Sequence, residues 1–144
     1  MEMIIFTGIQ ASGKSTFYKK MFIDTHIRIN LDMLKTRHRE LLLIKACLEA
    51  KQPLVIDNTN PTLEDRKKYI QLAKQYHFRT VGYYFVPQLT ESATRNQQRE
   101  EKKRVPLIAI KGTLNKLEPP HSDEGFDQLF QVTIQGNDYI ICDY

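Results

Sequence analysis

The residues best suited to chemistry lie at positions 8–15, where the chain reads GIQASGKS. Gly8 and Gly13 let the backbone curl so that its amide N–H groups converge on one anion, and Lys14 adds a full positive charge. A helix that begins at this loop would add its positive end to the attraction. The alternative is an ordinary glycine turn. The spacing GxxxxGK[ST] favours a loop that holds the phosphates of a nucleotide.

A hydroxyl and a carboxylate could add a metal ion to this site. Ser15 supplies the hydroxyl that ligates magnesium in such loops, and Thr16 can contact another phosphate oxygen. Asp57 follows the apolar run 54–56, a pattern that delivers an acid toward magnesium. The surrounding IDNTNPT is also a good turn sequence, so a site role for Asp57 or Asn58 stays open. We predict ATP and Mg²⁺ as cofactors, with Ser15 and Asp57 as the metal ligands.

Asp32 is the candidate general base. It follows the strand-like run IRIN, so it should lie at the carboxyl edge of a parallel sheet, on the side of the phosphate loop. A carboxylate there can take the proton of an attacking hydroxyl. Aspartate is also a favoured helix N-cap, and a long helical pattern follows Asp32 directly. From position alone, the two roles are equally supported.

A basic segment could cover the phosphates. Arg95 and Arg99 are four residues apart on a predicted helix and therefore share a face, ahead of the run REEKKR that ends at Arg104. Arginine stabilises the negative charge of a transferring phosphoryl group well. The alternative is a solvated helix face with a surface ion pair between Glu91 and Arg95. We expect a small lid at about residues 95–106.

The elements that must position these residues alternate between short β-rich runs and longer helical patterns, which predicts an α/β fold with a mostly parallel sheet. Two apolar runs around the turn residues 136–138 predict a hairpin at a sheet edge. We expect one domain over residues 1–144. The predicted strands are 3–7, 26–30, 54–56, 80–86, 130–135 and 139–142, and the predicted helices are 14–23, 33–51, 62–76, 89–100 and 106–117.

Composition adds limits rather than a function. The formal net charge of +4 permits a polyanionic partner such as nucleic acid. Cys47 and Cys142 are far apart, which fits a reduced compartment and argues against a structural zinc site. No stretch approaches about 18 apolar residues, so we expect a cytoplasmic chain with no membrane partner.

Five motifs occur in one order: GIQASGKSTFYKK, the N-x-D of 30–32, VIDNTNP at 55–61, RNQQR at 95–99 and EPPHSDEGF at 118–126. Together they resemble the polynucleotide 5′-hydroxyl kinases, specifically the kinase part of the phage end-healing enzyme and of the animal polynucleotide phosphatase/kinase. The resemblance spans about residues 4–134. It implies a single-domain P-loop kinase fold, with a central mostly parallel sheet flanked by helices and a small helical lid.

The resemblance also implies roles for individual residues. Asp32 is the base for the 5′-hydroxyl, and Lys14 and the lid residue Arg99 are its catalytic partners. The implied ATP-binding residues are Gly8, Ala11, Ser12, Gly13, Lys14, Ser15, Thr16, Arg95 and Arg99, and the implied acceptor contacts are Asp32, Lys35, Asn58 and Asn60. Two positions depart from the phage enzyme, since Lys35 replaces a substrate-contacting arginine and Asn58 replaces an acid.

Three functions remain open at this point. The first is transfer of the γ-phosphate of ATP to the 5′-hydroxyl of a single-stranded or end-exposed nucleic acid. The second keeps the same machinery for a small hydroxyl substrate such as a nucleoside, sugar or antibiotic. The third is an ATP-binding switch or partner module with little transferase activity, for which Lys35 and Asn58 provide some motive.

Overall fold

A six-stranded sheet runs through the computed structural model, which describes residues 1–144. The strands are β1 (Glu2–Thr7), β2 (Ile27–Ile29), β3 (Leu54–Ile56), β4 (Arg79–Phe85), β5 (Gln128–Gln135) and β6 (Asp138–Asp143). Their order across the sheet is β2-β3-β1-β4-β5-β6. The first five are parallel and β6 pairs antiparallel with β5. The predicted mostly parallel sheet and edge hairpin are confirmed.

Six helices and two short 3-10 turns connect the strands. The helices are α1 (Lys14–Met21), α2 (Leu31–Leu34), α3 (Arg37–Ala50), α4 (Leu63–Gln75), α5 (Leu89–Gln97) and α6 (Leu107–Lys116). The 3-10 turns lie at Glu101–Lys103 and Ser122–Glu124, the second within a segment predicted as loop. None of the helices has the length and apolarity that crossing a lipid bilayer requires.

The two faces of the sheet carry separate cores, because alternate residues of each strand point to opposite sides. Ile4 and Phe6 of β1 pack with Phe17 of α1 on one face. Met3 and Ile5 pack with residues of α3 and α4 on the other. Helix α1, which follows β1, and helix α4, which follows β3, therefore cover opposite faces. Since β1 and β3 are neighbours, a crevice opens between the loops at their carboxyl ends, where ligands bind in sheets of this type.

The prediction of one helix over residues 33–51 was wrong, because the structure has two helices there, α2 and α3. The chain ends α2 at Lys35, whose φ of 75° lies in the left-handed region, and α3 starts anew. Each helix has its own cap: Asn30 accepts from the Met33 amide, and Thr36 accepts from the Arg39 amide. Asp32 is the second residue of α2, so it is not an N-cap. The capping interpretation of Asp32 was therefore wrong.

The other boundaries shift by a few residues. Thr62 and Asp65 form a capping box at the start of α4, since each side chain accepts from the other residue's amide. Helix α5 ends at Gln97 rather than near residue 100, which leaves Arg99 in the following turn. Pro106 is the N-cap of α6, as its predicted place at the start of that helix required.

A buried ion pair ties α4 to the segment after α6. The Arg66 guanidinium, which is fully buried, donates from Nε and Nη2 to the two carboxylate oxygens of Glu124 at 2.8 and 3.0 Å. Its Nη1 donates to the Asn60 carbonyl at 3.0 Å. Asn60 has a φ of 43° and lies in the loop after β3. Arg66 therefore holds one wall of the crevice in place.

We predict that Arg66→Met lowers the free energy of unfolding by about 3–5 kcal/mol, because Glu124 is left buried without its partner. Chemical denaturation measures the change. The variant Lys67→Met, on the exposed side of the same helix, is the control and should change stability by no more than about 0.5 kcal/mol. The double variant with Glu124→Leu should be more stable than Arg66→Met alone. Equal stability of Arg66→Met and Lys67→Met would contradict a structural role for the pair.

Candidate active site

A polar cleft of about 620 Å³ lies at the crevice between the loops that follow β1 and β3. Loop α5–α6 and the start of α2 complete its walls. The predicted site residues that line it are Ala11, Ser12, Gly13, Lys14, Ser15, Thr16, Asp32, Asp57, Asn58, Asn60, Arg95 and Arg99. Gly8 lies in the loop beneath it. Lys35 is exposed and does not line the cleft, so its role as an acceptor contact stays a prediction.

Two positions of the loop over residues 8–13, Gly8 and Gly13, have no room for a side chain. A Cβ at Gly8 would lie 2.9 Å from both Phe85 Cβ and Ser12 Oγ, and one at Gly13 would lie 2.7 Å from a methyl of Ile134. Gly13 has a φ of 92° and caps α1 without any side-chain hydrogen bond. The first amides of α1 are therefore left for an external acceptor, and the helix dipole favours an anion there.

Lys14 lies under this loop. Its Nζ donates to the carbonyls of Gly8 and Ile9 at 3.0 and 2.7 Å and to Ser12 Oγ at 3.3 Å. Burial lowers the pKa of Lys14 to about 8; Asp57 opposes this shift, while Arg99 adds to it. The ammonium group is held by neutral oxygens, so an anion placed at the loop would meet a charge that is already positioned.

Ser15 and Asp57 are brought together as the metal prediction requires. Ser15 Oγ donates to Asp57 Oδ2 at 3.0 Å, and the Asp57 side chain is only 2% exposed. A hydroxyl and a carboxylate oxygen are the ligands that Mg²⁺ prefers. The donor set therefore fits the ion. Arg28 of β2 contacts both groups, with Nε at 2.7 Å from Asp57 Oδ2 and Nη2 at 2.8 Å from Ser15 Oγ.

Asp32 lies at the mouth of the cleft, exposed on the short helix α2. Two amide side chains fix the start of that helix. Asn30 Nδ2 donates to the Asp57 carbonyl at 2.7 Å, and Asn58 Oδ1 accepts from the Leu31 amide at 2.9 Å. The end of β3 is thereby bonded to the turn that carries the predicted base. Asn58, predicted to contact the phosphate acceptor, lines the cleft. Its side-chain oxygen also accepts the hydrogen bond that holds this turn.

A buried polar cluster stands behind Asn58. Asn58 Nδ2 donates to Glu40 Oε2 at 3.0 Å, and the Tyr69 hydroxyl donates to Glu40 Oε1 at 3.0 Å. Arg37 Nη1 donates to Glu40 and to the Tyr69 hydroxyl at 3.1 and 3.0 Å. Glu40 and Tyr69 are 3% and 1% exposed. The cluster joins α3 and α4 to the loop after β3, so it stiffens the wall on which Asp32 is mounted.

Hydrogen bonds between Asn96 and Val105 join the two ends of the lid. Asn96 is buried, and its amide donates to the Val105 carbonyl at 2.6 Å and accepts from the Val105 amide at 2.8 Å. Arg95 Nη1 donates to the Ala11 carbonyl at 3.2 Å, which bonds the lid to the phosphate loop. Arg99 projects into the cleft lining and its charge acts on Lys14. The structure thus brings both predicted lid arginines to the phosphate loop.

The terminal hairpin supports the loop from the other side. The Tyr139 hydroxyl donates to the Gly13 carbonyl at 2.9 Å, and its ring packs on Phe17 of α1. Burial raises the pKa of Tyr139, which keeps its hydroxyl a donor. The contact joins residues far apart in the chain, so it leaves no local signal in the sequence.

Several residues in and around the site went unpredicted, among them Arg28, Glu40, Asn96 and Tyr139. Arg28 offered a signal, since a charged residue between Ile27 and Ile29 in a strand near the loop needs a partner. Asn96 offered another signal, because it is the asparagine of the RNQQR motif and follows Arg95 directly. Glu40 and Tyr139 depend on contacts with distant segments and offered none.

Comparison with known proteins identifies a matching family and several relatives. A family model described as an AAA domain matches residues 34–120, a range that includes Asp57 and the lid. The bifunctional polynucleotide phosphatase/kinase of Schizosaccharomyces pombe is 31% identical over 139 residues, which cover 91% of this chain and 33% of the relative. The chain thus spans about a third of that protein's length. The resemblance predicted from the five motifs is confirmed.

Two further similarities lie outside the polynucleotide phosphatase/kinases. The L-seryl-tRNA(Sec) kinase of Methanococcus maripaludis is 27% identical over 157 residues, covering 96% of this chain and 60% of the relative. The crystal structure of Chaetomium thermophilum Kti12 in complex with ADP-AlF3 superimposes with a TM-score of 0.73 at 14% identity, covering 91% of this chain and 88% of that one. The second similarity concerns the fold alone, and it confirms the predicted fold class.

The pKa of Lys14 predicts how ADP binding depends on pH. Below about pH 8 the amine is protonated and can pair with phosphate; above it the free protein loses that charge, so affinity should fall by up to about tenfold per pH unit. Calorimetric titrations of ADP between pH 6.5 and 9.5 measure this. Lys14→Met should bind more weakly and lose this pH dependence. Unchanged wild-type affinity across the range would contradict the role given to Lys14.

Proposed function

The chain belongs to the AAA-domain family whose model matches it, and from that premise we propose that it transfers the γ-phosphate of ATP to the 5′-hydroxyl of a polynucleotide. One observation carries the proposal: Asp32, an exposed carboxylate, opens onto the same cleft as the glycine loop and Lys14. A donor phosphate on the loop and a hydroxyl beside Asp32 would share one small space. Phosphoryl transfer needs mainly such positioning and charge neutralisation.

The loop and the lid hold the donor in this mechanism. The amides at the start of α1 bind the phosphates, and Lys14 moves from the loop carbonyls to a phosphate oxygen. Magnesium, held by Ser15 and Asp57, would supply additional neutralisation of phosphate charge. Arg99, from the lid, reaches the charge that spreads over the transferring group, and Arg95 keeps the lid against the loop.

Asp32 acts on the acceptor. Its carboxylate accepts the proton of the attacking hydroxyl as the oxygen bonds to phosphorus, a contribution of about 10² to 10⁴ in rate when the geometry is right. The helix α2 that carries it is held by Asn30 and Asn58, so the carboxylate keeps its place relative to Asp57. The whole unit is a single kinase domain over residues 1–144 with a lid at about 95–106.

Exposed cations around Asp32 support a polyanionic acceptor. The junction between α2 and α3 carries Lys35, Arg37 and Arg39, all exposed, within a few residues of the base. On the other side of the cleft, Lys116 lines the wall. A nucleic acid whose 5′ end enters at Asp32 would bring its phosphates past these groups. The S. pombe relative, a bifunctional polynucleotide phosphatase/kinase, points the same way.

A second candidate is a hydroxyl that is not at a nucleic-acid end. The similarity to an L-seryl-tRNA(Sec) kinase over most of this chain favours it, because that name describes a hydroxyl on an aminoacyl group. Small hydroxyl compounds belong to the same candidate, since the residues proposed to bind ATP do not select the phosphate acceptor.

One assay separates the candidates. The chain is incubated with γ-labelled ATP and Mg²⁺ and offered 5′-hydroxyl DNA and RNA oligonucleotides, nucleosides, sugars and seryl-tRNA. Label on the oligonucleotides is the expected result, and their 5′-phosphorylated counterparts should stay unlabelled. Label only on a small molecule or on seryl-tRNA would replace the first candidate with the second. ATP binding without any labelled product would favour an ATP-dependent switch.

We predict that Asp32→Asn lowers the transfer rate by about 10² or more while ADP affinity stays within about twofold, because only the base is lost. Single-turnover transfer and ADP titration measure the two quantities. Asp24→Asn, another exposed acid, is the control and should transfer at the wild-type rate. Transfer by Asp32→Asn at the wild-type rate would leave that residue without a catalytic role.

We predict that Arg99→Ala slows transfer by about 10² or more and changes the melting temperature little, because a half-exposed arginine adds little to stability. Lys111→Ala, on the exposed face of α6, is the matched control and should change neither quantity. A large fall in melting temperature with a normal transfer rate would assign Arg99 to the fold rather than to the reaction.

A further inference from the structure

A positively charged side chain already lies on the pair of groups assigned to the metal. Arg28 Nε donates to Asp57 Oδ2 at 2.7 Å, and its Nη2 donates to Ser15 Oγ at 2.8 Å. Ser15 Oγ in turn donates to the same Oδ2 at 3.0 Å. The three groups form a closed triangle of hydrogen bonds. The guanidinium therefore occupies one oxygen of each of the two residues that would hold a magnesium ion.

Burial explains why a cation is needed there. The Asp57 side chain is 2% exposed, and a buried carboxylate without a partner is costly. The Arg28 side chain is 27% exposed, and no other cation forms a salt bridge with Asp57. Lys14, the other nearby cation, gives its hydrogen bonds to the loop instead. Arg28 is thus the counter-ion of Asp57.

We propose that Arg28 is a resident counter-ion that holds Ser15 and Asp57 while no metal is bound and leaves them when a divalent cation arrives with the nucleotide. A divalent ion on these oxygens would lie within a few ångströms of the guanidinium, and the two positive charges would repel strongly in so enclosed a place. Arg28 and the ion would also share the same hydroxyl oxygen, Ser15 Oγ. The two cations therefore compete.

The competition sets the order in which the site fills. A metal ion alone would gain two protein ligands and must displace Arg28, whereas a metal ion with bound ADP or ATP also gains phosphate oxygens. The free ion should therefore bind weakly and the metal–nucleotide complex well. An arginine suits this task because its planar fork reaches two oxygens at once, while its flexible stem lets it swing toward solvent.

Binding of Mn²⁺ without nucleotide tests the proposal. Electron paramagnetic resonance measures free Mn²⁺ in titrations of the wild type, Arg28→Met and Arg79→Met, the last being a matched control at the far end of β4. Arg28→Met should bind Mn²⁺ about tenfold or more tightly than the wild type, because the competing charge is gone. Arg79→Met should match the wild type. Equal or weaker Mn²⁺ binding by Arg28→Met would overturn the proposal.

A measurement on the wild type covers the case in which Arg28→Met fails to fold. In ¹⁵N-labelled protein, the Arg28 Nε–H signal should be protected from solvent exchange without metal, and addition of Mg²⁺ and ADP should remove that protection. The signal is assigned by its loss in Arg28→Lys. Protection that persists in the Mg²⁺–ADP complex would overturn the proposal.

The inference rests on the nucleotide site of the proposed function, but the two can fail separately. If the wild type bound no ADP, the proposed function would fail, while the nucleotide-free Mn²⁺ comparison would still decide the role of Arg28. If ADP bound normally and Arg28→Met showed no gain in Mn²⁺ affinity, only the counter-ion role would fail.

Discussion

One hydrogen bond joins the two loops on which the cleft is built: the Gly8 amide donates to the Thr59 carbonyl at 3.0 Å. Gly8 follows β1 and Thr59 follows β3, so the bond holds the two loops in close approach at the carboxyl ends of these strands. A side chain at Gly8 would meet Phe85 of β4 and Ser12 of its own loop, so this loop would have to shift. The placement of Lys14, Ser15 and Asp57 within one space depends on that close approach.

Oxygen atoms of the protein hold three cations in or beside the cleft before any ligand is considered. Lys14 is held by loop carbonyls, Arg28 by Ser15 and Asp57, and Arg95 by the Ala11 carbonyl. These bonds keep the positive groups in defined positions, so that little ordering is left for binding to do. They also impose a cost, because each ligand group must replace a bond that the protein already makes. Under the proposed function, we therefore expect the cleft to select strong anions and a divalent cation that arrives with them.

Much of the fold and the donor half of the site could be predicted from the sequence, because their signals are local. The loop 8–15, the strand 54–56 with Asp57 after it, and the capping box at Thr62 each lie within one short segment. The break at Lys35 could not be predicted, since neither glycine nor proline marks it and the long helical pattern runs past it. The reason is tertiary: Asn30 donates to the Asp57 carbonyl and Asn58 accepts from the Leu31 amide, so the start of α2 is bonded to the end of β3 as a separate turn. Glu40 and Tyr139 were missed for the same reason, as their partners lie in distant segments.

The identity of the phosphate acceptor is the part of the proposed function that most needs a test, because the residues proposed to bind ATP do not select the acceptor. The most direct measurement is a crystal structure of the chain with ADP, Mg²⁺ and a short 5′-hydroxyl oligonucleotide. The proposed function predicts that phosphates lie on the amides at the start of α1 and that the terminal 5′-hydroxyl lies within hydrogen-bond distance of Asp32. The oligonucleotide strand should pass the basic residues 35–39. An oligonucleotide bound with its 5′ end away from Asp32, or excluded from the cleft by the lid, would contradict it.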